Sequence, residues 1–256
     1  MDPAWPANAH ALDAEQLRLA AVRPTPWILP AGGIAVAGCF LAFARGEQGP
    51  GHPGDRGWVA AAVVECATGR TLASNCLPCR AGASYEAGRL ALREGSSLEA
   101  AVAELEVAPD VLMVDATGRD HPRRAGLALH LGAVLGLPSI GVTHRPLIAE
   151  GPQPGAQRGA TSPLLLDGEV VGAWVRTQVG VRPLAVHAGW QTDAETAIAI
   201  TLACTALART PEPLRRARVA ARTTRAFAEG RTRQEWRDPL AWAPSAPLRS
   251  VPPPPG

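Results

Sequence analysis

The order of the apolar segments along the chain constrains its fold more than any other feature of the sequence. Three strand-like runs follow one another at 32–44, 57–66 and 71–79, and turn-forming residues separate them. Helical and strand-like patterns then alternate along the rest of the chain. Successive strands followed by such an alternation predict an α/β protein with one mixed sheet in a single domain.

The remaining segments complete this order. Apolar positions at helical spacing predict a first helix over 11–23, before Pro24. The pair Asp167-Gly168 predicts the turn of a hairpin. We further expect helices at 86–106 with an interruption near Gly95, at 123–136, at 193–208 and after Pro211, and strands at 110–115, 138–142 and 182–189.

The length of 256 residues suits one domain with a substantial core, which we expect at 1–237. The segment 238–256 is rich in proline and is predicted to be a disordered tail. No apolar run reaches the roughly 18 residues that a membrane-spanning helix needs. The N-terminus lacks the pattern of a secretory leader, and five cysteines, an odd number, fit a reducing compartment. The expected location is therefore cytoplasmic.

Two cysteines, Cys76 and Cys79, form a lone Cys-x-x-Cys pair. A zinc site at this pair would need two further ligands, for which Cys39 and Cys66 are the nearest candidates. The alternative is that these residues are small thiols, buried or half-buried on strands.

The basic residues of the chain are unusual, because all 25 are arginine and none is lysine. Any mechanism that needs a lysine ammonium is therefore excluded. The net charge of +2 excludes a general polycation, yet nine arginines lie between Arg209 and Arg237. This concentration predicts either a solvated helix face or an arm that binds phosphates without sequence preference.

An aspartate stands at the end of one apolar strand. Asp115 directly follows the run 111–114, and ligands of such sheets bind outside the carboxyl ends of parallel strands. Asp115 is therefore a candidate ligand, although it could instead cap loop amides. His121, Arg123 and Arg124 come next, at the predicted start of a helix. A phosphate at that start would attract both the helix amides and the guanidinium groups.

The stretch VDATGRDHPRRAGLALHLG closely resembles the signature loop of the endonuclease V family, in which an apolar strand ends in Asp-Gly and His-Pro-Arg-Arg follows. The resemblance extends over roughly 11–226. Further matching residues occur in the family's order, namely Tyr85, Gly88, Leu90, Arg93, Glu94, Gly141-Val142, Gly168-Glu169, Gly172, Arg176-Thr177 and Pro211-Glu212-Pro213.

This resemblance implies a ribonuclease H-like mixed sheet flanked by helices. It also implies an endonuclease that uses Mg²⁺, with Mn²⁺ as a possible substitute. Its substrate would be DNA, or RNA, cut 3′ to inosine in the repair of deaminated adenine. In such a site, carboxylates hold one or two hard cations, which activate a water molecule and stabilise the leaving oxygen. The altered base must leave the stack to be recognised.

The resemblance also assigns roles to individual residues. It implies Asp115, Glu94 and Glu195 as metal ligands, with His121 and His144 close to the reaction. Glu195 has an alternative role, because Thr192 and Glu195 have the spacing of a capping box. The residues implied to contact nucleic acid are Tyr85, Arg123, Arg124 and Arg145.

The sequence departs from the family pattern at the residues that carry chemistry. The first-strand aspartate of the family falls on Ala37, or on Gly38 with a shift of one residue. Glu47 or Asp55 could replace it only through an unusual backbone path. His144 stands where the family has a lysine, and a neutral imidazole is a poorer phosphate contact. Two hypotheses follow: an active endonuclease, or a degenerate homologue that binds nucleic acid or a protein partner without cutting.

Overall fold

The computed structural model describes residues 5–46 and 49–231. Glu47 and the predicted tail at 238–256 lie outside these residues. The described part contains α1 (Ala9–Ala21), β1 (Ala35–Phe43), β2 (Arg56–Glu65), β3 (Thr71–Arg80), α2 (Leu90–Ala103), β4 (Val111–Val114), α3 (Leu127–Leu135), β5 (Ser139–Thr143), β6 (Thr161–Leu166), β7 (Glu169–Val175), β8 (Leu184–Ala188), α4 (Ala194–Ala203) and α5 (Glu212–Ala228).

The strands form one mixed sheet in the order β3-β2-β1-β4-β5-β8-β7-β6. β4 is central and runs parallel to both β1 and β5, while the other pairs are antiparallel. In this register, Val114 lies opposite Cys39 of β1 and Gly141 of β5. Asp115 therefore follows the carboxyl end of a central parallel strand, as the sequence predicts, and lies beside the middle of β1 and near the end of β5.

Helices cover both faces of the sheet, and this explains why β4 is apolar at every position. Leu112 and Val114 pack in the cluster that contains α2 and α3, whereas Val111 and Met113 pack in the cluster that contains α4 and the start of α5. All four side chains are almost fully buried. Burial of each one contributes about 1.5–3 kcal/mol to folding. The predicted single α/β domain with a mixed sheet is confirmed.

Two helix predictions need correction. Helix α2 is continuous across Gly95. A glycine suits this position because the Trp5 ring packs against it, and a Cβ there would lie 2.2 Å from the ring. Helix α3 begins only at Leu127, because backbone amides before it bond to a neighbouring loop: Gly126 donates to Gly118 O (2.8 Å). His121, Arg123 and Arg124 therefore lie in a loop ahead of the helix.

Three cysteines are buried or half-buried thiols on strands, as the second expectation states: Cys39 lies on β1, and Cys76 and Cys79 lie on β3. The other two differ. Cys66 and Cys204 form a disulfide with 4.8 Å between their Cα atoms, so this pair is not free. Cys76 packs with the helix α5 side of the sheet and Cys79 with the α2 side. These opposite orientations exclude a zinc site that uses both thiols. In the part of the chain that the structure describes, no helix is both long and apolar enough to cross a membrane.

Candidate functional site

The carboxylate of Asp115 is bound by an arginine. Asp115 directly follows β4, and Nη2 of Arg218 donates to its Oδ2 over 3.0 Å. Arg218 lies on α5, which approaches β1 closely because Gly38 has no side chain. A Cβ on Gly38 would lie 2.2 Å from the carbonyl carbon of Pro213. The guanidinium of Arg218 also lies over the ring of Phe40, 5.1 Å from its centroid.

The charge of Asp115 acts on two further ionisable groups, Glu94 and Cys39. Burial raises the pKa of Glu94 to about 7, the charge of Arg93 opposes this rise and that of Asp115 adds to it. Burial, followed by the charges of Asp115 and Glu94, raises the pKa of the Cys39 thiol above its usual range. The structure therefore brings Asp115, Glu94 and Cys39 to one end of the sheet.

Cys39, rather than Ala37 or Gly38, is the first-strand residue that belongs to this site. Ala37 lies opposite Leu112, two residues deeper in the core, and is fully buried. Gly38 faces α5. Asp55, the other carboxylate considered for this position, pairs instead with the buried Arg93 (3.1 Å).

Glu195 does not join these residues. It is exposed in the first turn of α4, which begins beside the first residue of β5, where Thr192 donates to Ser139 O (2.6 Å). Asp115 follows the last residue of β4, which is parallel to β5, so the two carboxylates lie at opposite ends of these strands. The predicted capping box is also wrong, because Asp193 caps α4 by accepting from Thr196 N (2.7 Å).

The residues at this site do not fit a Mg²⁺ ion. Magnesium takes six ligands, mostly oxygen atoms, in octahedral geometry. Among residues 5–46 and 49–231, no group of three or more His, Cys, Asp or Glu side chains could hold a metal ion. The first-strand position supplies a protonated thiol, and the carboxylate of Asp115 already has a cationic partner. The three-carboxylate centre predicted from the resemblance is therefore not formed.

His144 lies near Asp115 but is bound by another arginine. Nη1 of Arg209 donates to its Nδ1 (3.0 Å), while the rest of that guanidinium binds the carbonyls of Arg182 and Pro183. Desolvation lowers the pKa of His144, Arg209 and Arg218 lower it further, and Asp115 opposes them. His144 is therefore a neutral acceptor that orients Arg209 and does not replace the family's lysine as a cation.

Both ring nitrogens of His121 bind backbone groups of the protein. The ring is buried, its Nδ1 accepts from Arg123 N (3.1 Å), and its Nε2 therefore carries the proton and donates to Gly88 O (2.8 Å). Burial lowers the pKa of His121, which keeps the ring neutral. Since both nitrogens bind backbone groups, His121 fixes two loops to each other and holds no metal.

The two arginines of the signature loop are also held by the protein. Arg123 binds Gln16 (2.7 Å) and Asp13 (3.0 Å), which joins the loop to α1. Arg124 binds Asp167 (2.8 Å) in the turn between β6 and β7. These bonds explain why a pair of arginines is placed here, and they differ from the phosphate contacts predicted from the sequence.

Two predicted contacts to nucleic acid remain accessible. The Tyr85 side chain is 54% exposed, on a loop that is anchored by the bond from Tyr85 N to Pro50 O (2.7 Å). Arg145 is exposed, and its guanidinium has no hydrogen bond or ion pair with any residue the structure describes. Both side chains can therefore meet a ligand without breaking a protein contact.

Sequence reasoning missed three functional or supporting residues. Arg218 and Arg209 were visible only as members of the basic segment 209–237, and their partners lie far away in the chain. The buried Asp120 accepts bonds from three successive amides, those of Leu147 (2.6 Å), Ile148 (3.0 Å) and Ala149 (2.8 Å), and so fixes the loop after β5. No local pattern around Asp120 signals this role.

Comparisons with known proteins agree on the origin of this architecture. The sequence model of the Endonuclease V family matches residues 33–219. An Endonuclease V of Roseiflexus sp. (strain RS-1) is 47% identical over 117 residues, which is 46% of this chain and 53% of the relative. The chain therefore spans about half the length of the curated relatives it matches.

Solved structures cover more of the chain. The Endonuclease V of Streptomyces avermitilis superposes with a TM-score of 0.77 at 35% identity, over 88% of this chain and 96% of that one. The Endonuclease V of Ciona intestinalis, solved with a 24mer DNA containing an inosine followed by a ribo-adenosine, has a TM-score of 0.70 at 20% identity, over 85% and 97%, and shows the shared fold alone. The match over residues 33–219, together with the Streptomyces avermitilis structure, establishes that this chain belongs to the Endonuclease V family.

Proposed function

We propose that this protein binds nucleic acid at the carboxyl end of β4, beside Cys39 of β1, and does not cut it by a metal-dependent reaction. One observation carries the proposal. The Asp115 carboxylate, which the family resemblance makes a metal ligand, is paired with the guanidinium of Arg218 at 3.0 Å. The family's nucleic-acid scaffold is thus combined with a fixed cation at the centre of the site.

The charge of Arg218 opposes a metal ion at the same carboxylate. A guanidinium stays protonated at any physiological pH. At an effective dielectric constant of about 20, a divalent ion about 4 Å from it would be repelled by the order of 8 kcal/mol. The same guanidinium attracts a phosphate, so Arg218 favours binding of a strand while it disfavours the metal.

Accessible side chains around the site suit an unpaired strand. Tyr85 presents an aromatic face on which a base can stack. Arg145 adds an exposed cation next to His144, close to Asp115. DNA or RNA that carries inosine is the class of ligand suggested by the family. The cytoplasmic location and the role in repair stay predictions from the sequence.

A second candidate function is Mg²⁺-dependent cleavage beside inosine, and one observation favours it. Glu94 and Asp115 still act on each other at the end of the sheet, so two of the implied carboxylates are retained together. This function would require Arg218 to leave Asp115.

The two functions differ in an assay with a labelled single strand that contains one deoxyinosine. We expect fluorescence anisotropy to show binding that weakens with salt, and we expect denaturing gels to show no product with Mg²⁺ or Mn²⁺. A metal-dependent product that disappears in Asp115→Asn would overturn the proposal and establish the second candidate. Absence of binding to any strand would overturn both.

A paired set of variants tests the role of Arg218 in excluding metal. Cys39→Asp combined with Arg218→Ala adds a carboxylate at the first strand and removes the cation. We expect this variant to bind Mn²⁺ in calorimetry, whereas the natural protein does not. The control is Ala37→Asp with Arg218→Ala, which places the new carboxylate in the core opposite Leu112. Equal Mn²⁺ binding by the natural protein would contradict the proposed exclusion.

A further inference from the structure

A cleft of about 370 Å³ lies between the end of β1 and the second half of α5. Its wall consists of residues 40–43 on one side and the side chains of Arg45, Arg222 and Arg225 on the other. The strand contributes mainly apolar atoms, so the polar groups that face the cleft are largely cationic. Arg222 and Arg225 follow the end of the segment matched by the family model, at residue 219.

The spacing of the arginines on α5 aims them at this cleft. Arg218, Arg222 and Arg225 are separated by four and three residues and therefore share one face of the helix. The guanidinium of Arg222 lies 5.5 Å from the Phe40 ring centroid, beside that of Arg218. Nη1 of Arg225 donates to Phe43 O (2.9 Å), which fixes its guanidinium against β1.

Three guanidinium groups lie close together in the cleft. Arg45 contacts Glu229 at 3.8 Å, and the charges of Arg45 and Arg222 act on Arg225 together with that of Glu229. After burial, Arg45 is the largest influence that lowers the pKa of Arg225. Guanidinium groups held close together in this way favour binding of an anion. Phosphate suits this arrangement, because a guanidinium can donate two parallel bonds to its oxygens.

We propose that the cleft between residues 40–43, Arg45, Arg222 and Arg225 binds a phosphate group of a nucleic-acid strand. The inference rests on the proposed function and extends it, because it names where the strand continues beyond Asp115. Arg218 links the two regions, since it contacts both Asp115 and Phe40. The phosphate is either an internal phosphodiester or the phosphate at a strand end.

The test compares two double variants with the same change in charge. Arg222→Gln with Arg225→Gln removes two cations of the cleft. Arg18→Gln with Arg70→Gln removes two cations whose side chains are 53% and 64% exposed, on α1 and in the turn after β2. For a labelled single strand, we expect the cleft variant to lose affinity about tenfold and its salt dependence to fall by about 0.7 in slope, as the loss of one phosphate contact requires, while the control keeps both.

Further measurements distinguish an internal phosphodiester from the phosphate at a strand end, and they show whether each variant is folded. Circular dichroism checks the fold of each variant, and Arg222→Lys with Arg225→Lys should recover part of the affinity. Tighter binding of a strand with a 5′-phosphate than of one without it, seen in the natural protein and lost in the cleft variant, would identify a strand end. Equal binding of both strands, with the tenfold loss in the variant, would identify an internal phosphodiester.

The result that overturns the inference differs from the one that overturns the proposed function. If the natural protein binds a strand and the folded cleft variant binds it with the same affinity and salt slope, the phosphate site is absent while the proposed function stands. If the natural protein binds no strand, the proposed function itself fails.

Discussion

At the scale of single residues, the partner of a carboxylate decides what its site can do. Asp115 has the position of a metal ligand at the end of a parallel strand, but Arg218 neutralises it at 3.0 Å. Cys39 supplies a thiol in place of a hard oxygen ligand, and burial keeps that thiol protonated. With Arg218 bound to Asp115 and a thiol at Cys39, the site differs chemically from a metal centre, although the strands around it keep the same arrangement.

Glu94 makes the stability of the protein depend on pH. Its pKa is about 7 in the folded protein, against an ordinary value of 4.5. Because the folded value is raised, the stabilising contribution of protonated Glu94 is complete below about pH 4.5 and is lost as the pH rises through about 7. We expect Glu94→Gln to match the natural protein near pH 5 and to be more stable by about 1–3 kcal/mol near pH 8.

Urea unfolding at several pH values measures this difference. The matched control is Glu104→Gln, which changes an exposed carboxylate at the end of the same helix. Its stability relative to the natural protein should not change between the same two pH values. A Glu94→Gln variant whose advantage is constant, or largest at low pH, would contradict the raised pKa.

At the scale of secondary-structure elements, the strands could be predicted and the ends of the helices could not. The strand β4 is apolar at all four positions because both of its faces are covered, and the turn at Asp167-Gly168 defines a hairpin locally. The start of α3 depends instead on a bond from Gly126 to Gly118 O, which the helical pattern of 123–136 does not contain. A pattern within one segment can be recognised in the sequence, whereas a hydrogen bond to a distant residue that shifts the start of a helix cannot.

The same distinction between local patterns and distant contacts explains which residues of the candidate site could be predicted. Asp115 was predictable because it follows an apolar strand, and Glu94 was identified through the family resemblance. The pairing of Asp115 with Arg218 joins residues 103 positions apart, so no local pattern contains it. The protein contacts of His121 and Arg123 were not predictable for the same reason, since their partners Gly88 and Gln16 lie in distant segments of the chain.

The arginine that joins the signature loop to α1 should affect folding rather than binding. Arg123 binds Gln16 and Asp13, whereas the nearby Arg145 has no such contact among the described residues. We expect Arg123→Gln to lower stability by about 1–3 kcal/mol and to leave the salt dependence of strand binding unchanged. Arg145→Gln, which makes the same chemical change, should leave stability unchanged and reduce the salt slope by about 0.7.

Thermal unfolding and anisotropy titrations measure the two effects on the same samples. Because each variant is the control for the other, their effects should separate. A reduced salt slope in Arg123→Gln without loss of stability would instead support the phosphate contact predicted from the sequence.

At the scale of the whole molecule, every permanent positive charge of a side chain is a guanidinium, since the chain contains 25 arginines and no lysine. The net charge of +2 is small, so binding of a strand depends on where these charges lie. Several of them line the face of α5 that packs against β1. The binding surface is therefore local, and its charge does not change over the range of pH in which lysine and histidine titrate.

Strand affinity should for this reason be constant at alkaline pH. Between about pH 8 and about pH 10, the arginines stay charged, whereas a lysine close to other cations loses its proton in this range. At constant salt, we expect the affinity of the natural protein for a strand of adenine and cytosine nucleotides to change less than about twofold over this pH interval. The control is Arg222→Lys with Arg225→Lys, which keeps the charge at neutral pH and should lose affinity as the pH rises. Anisotropy titrations, with circular dichroism to show that both proteins stay folded, make the comparison. A parallel loss of affinity in both proteins would show that the arginines of α5 do not determine how the strand is held.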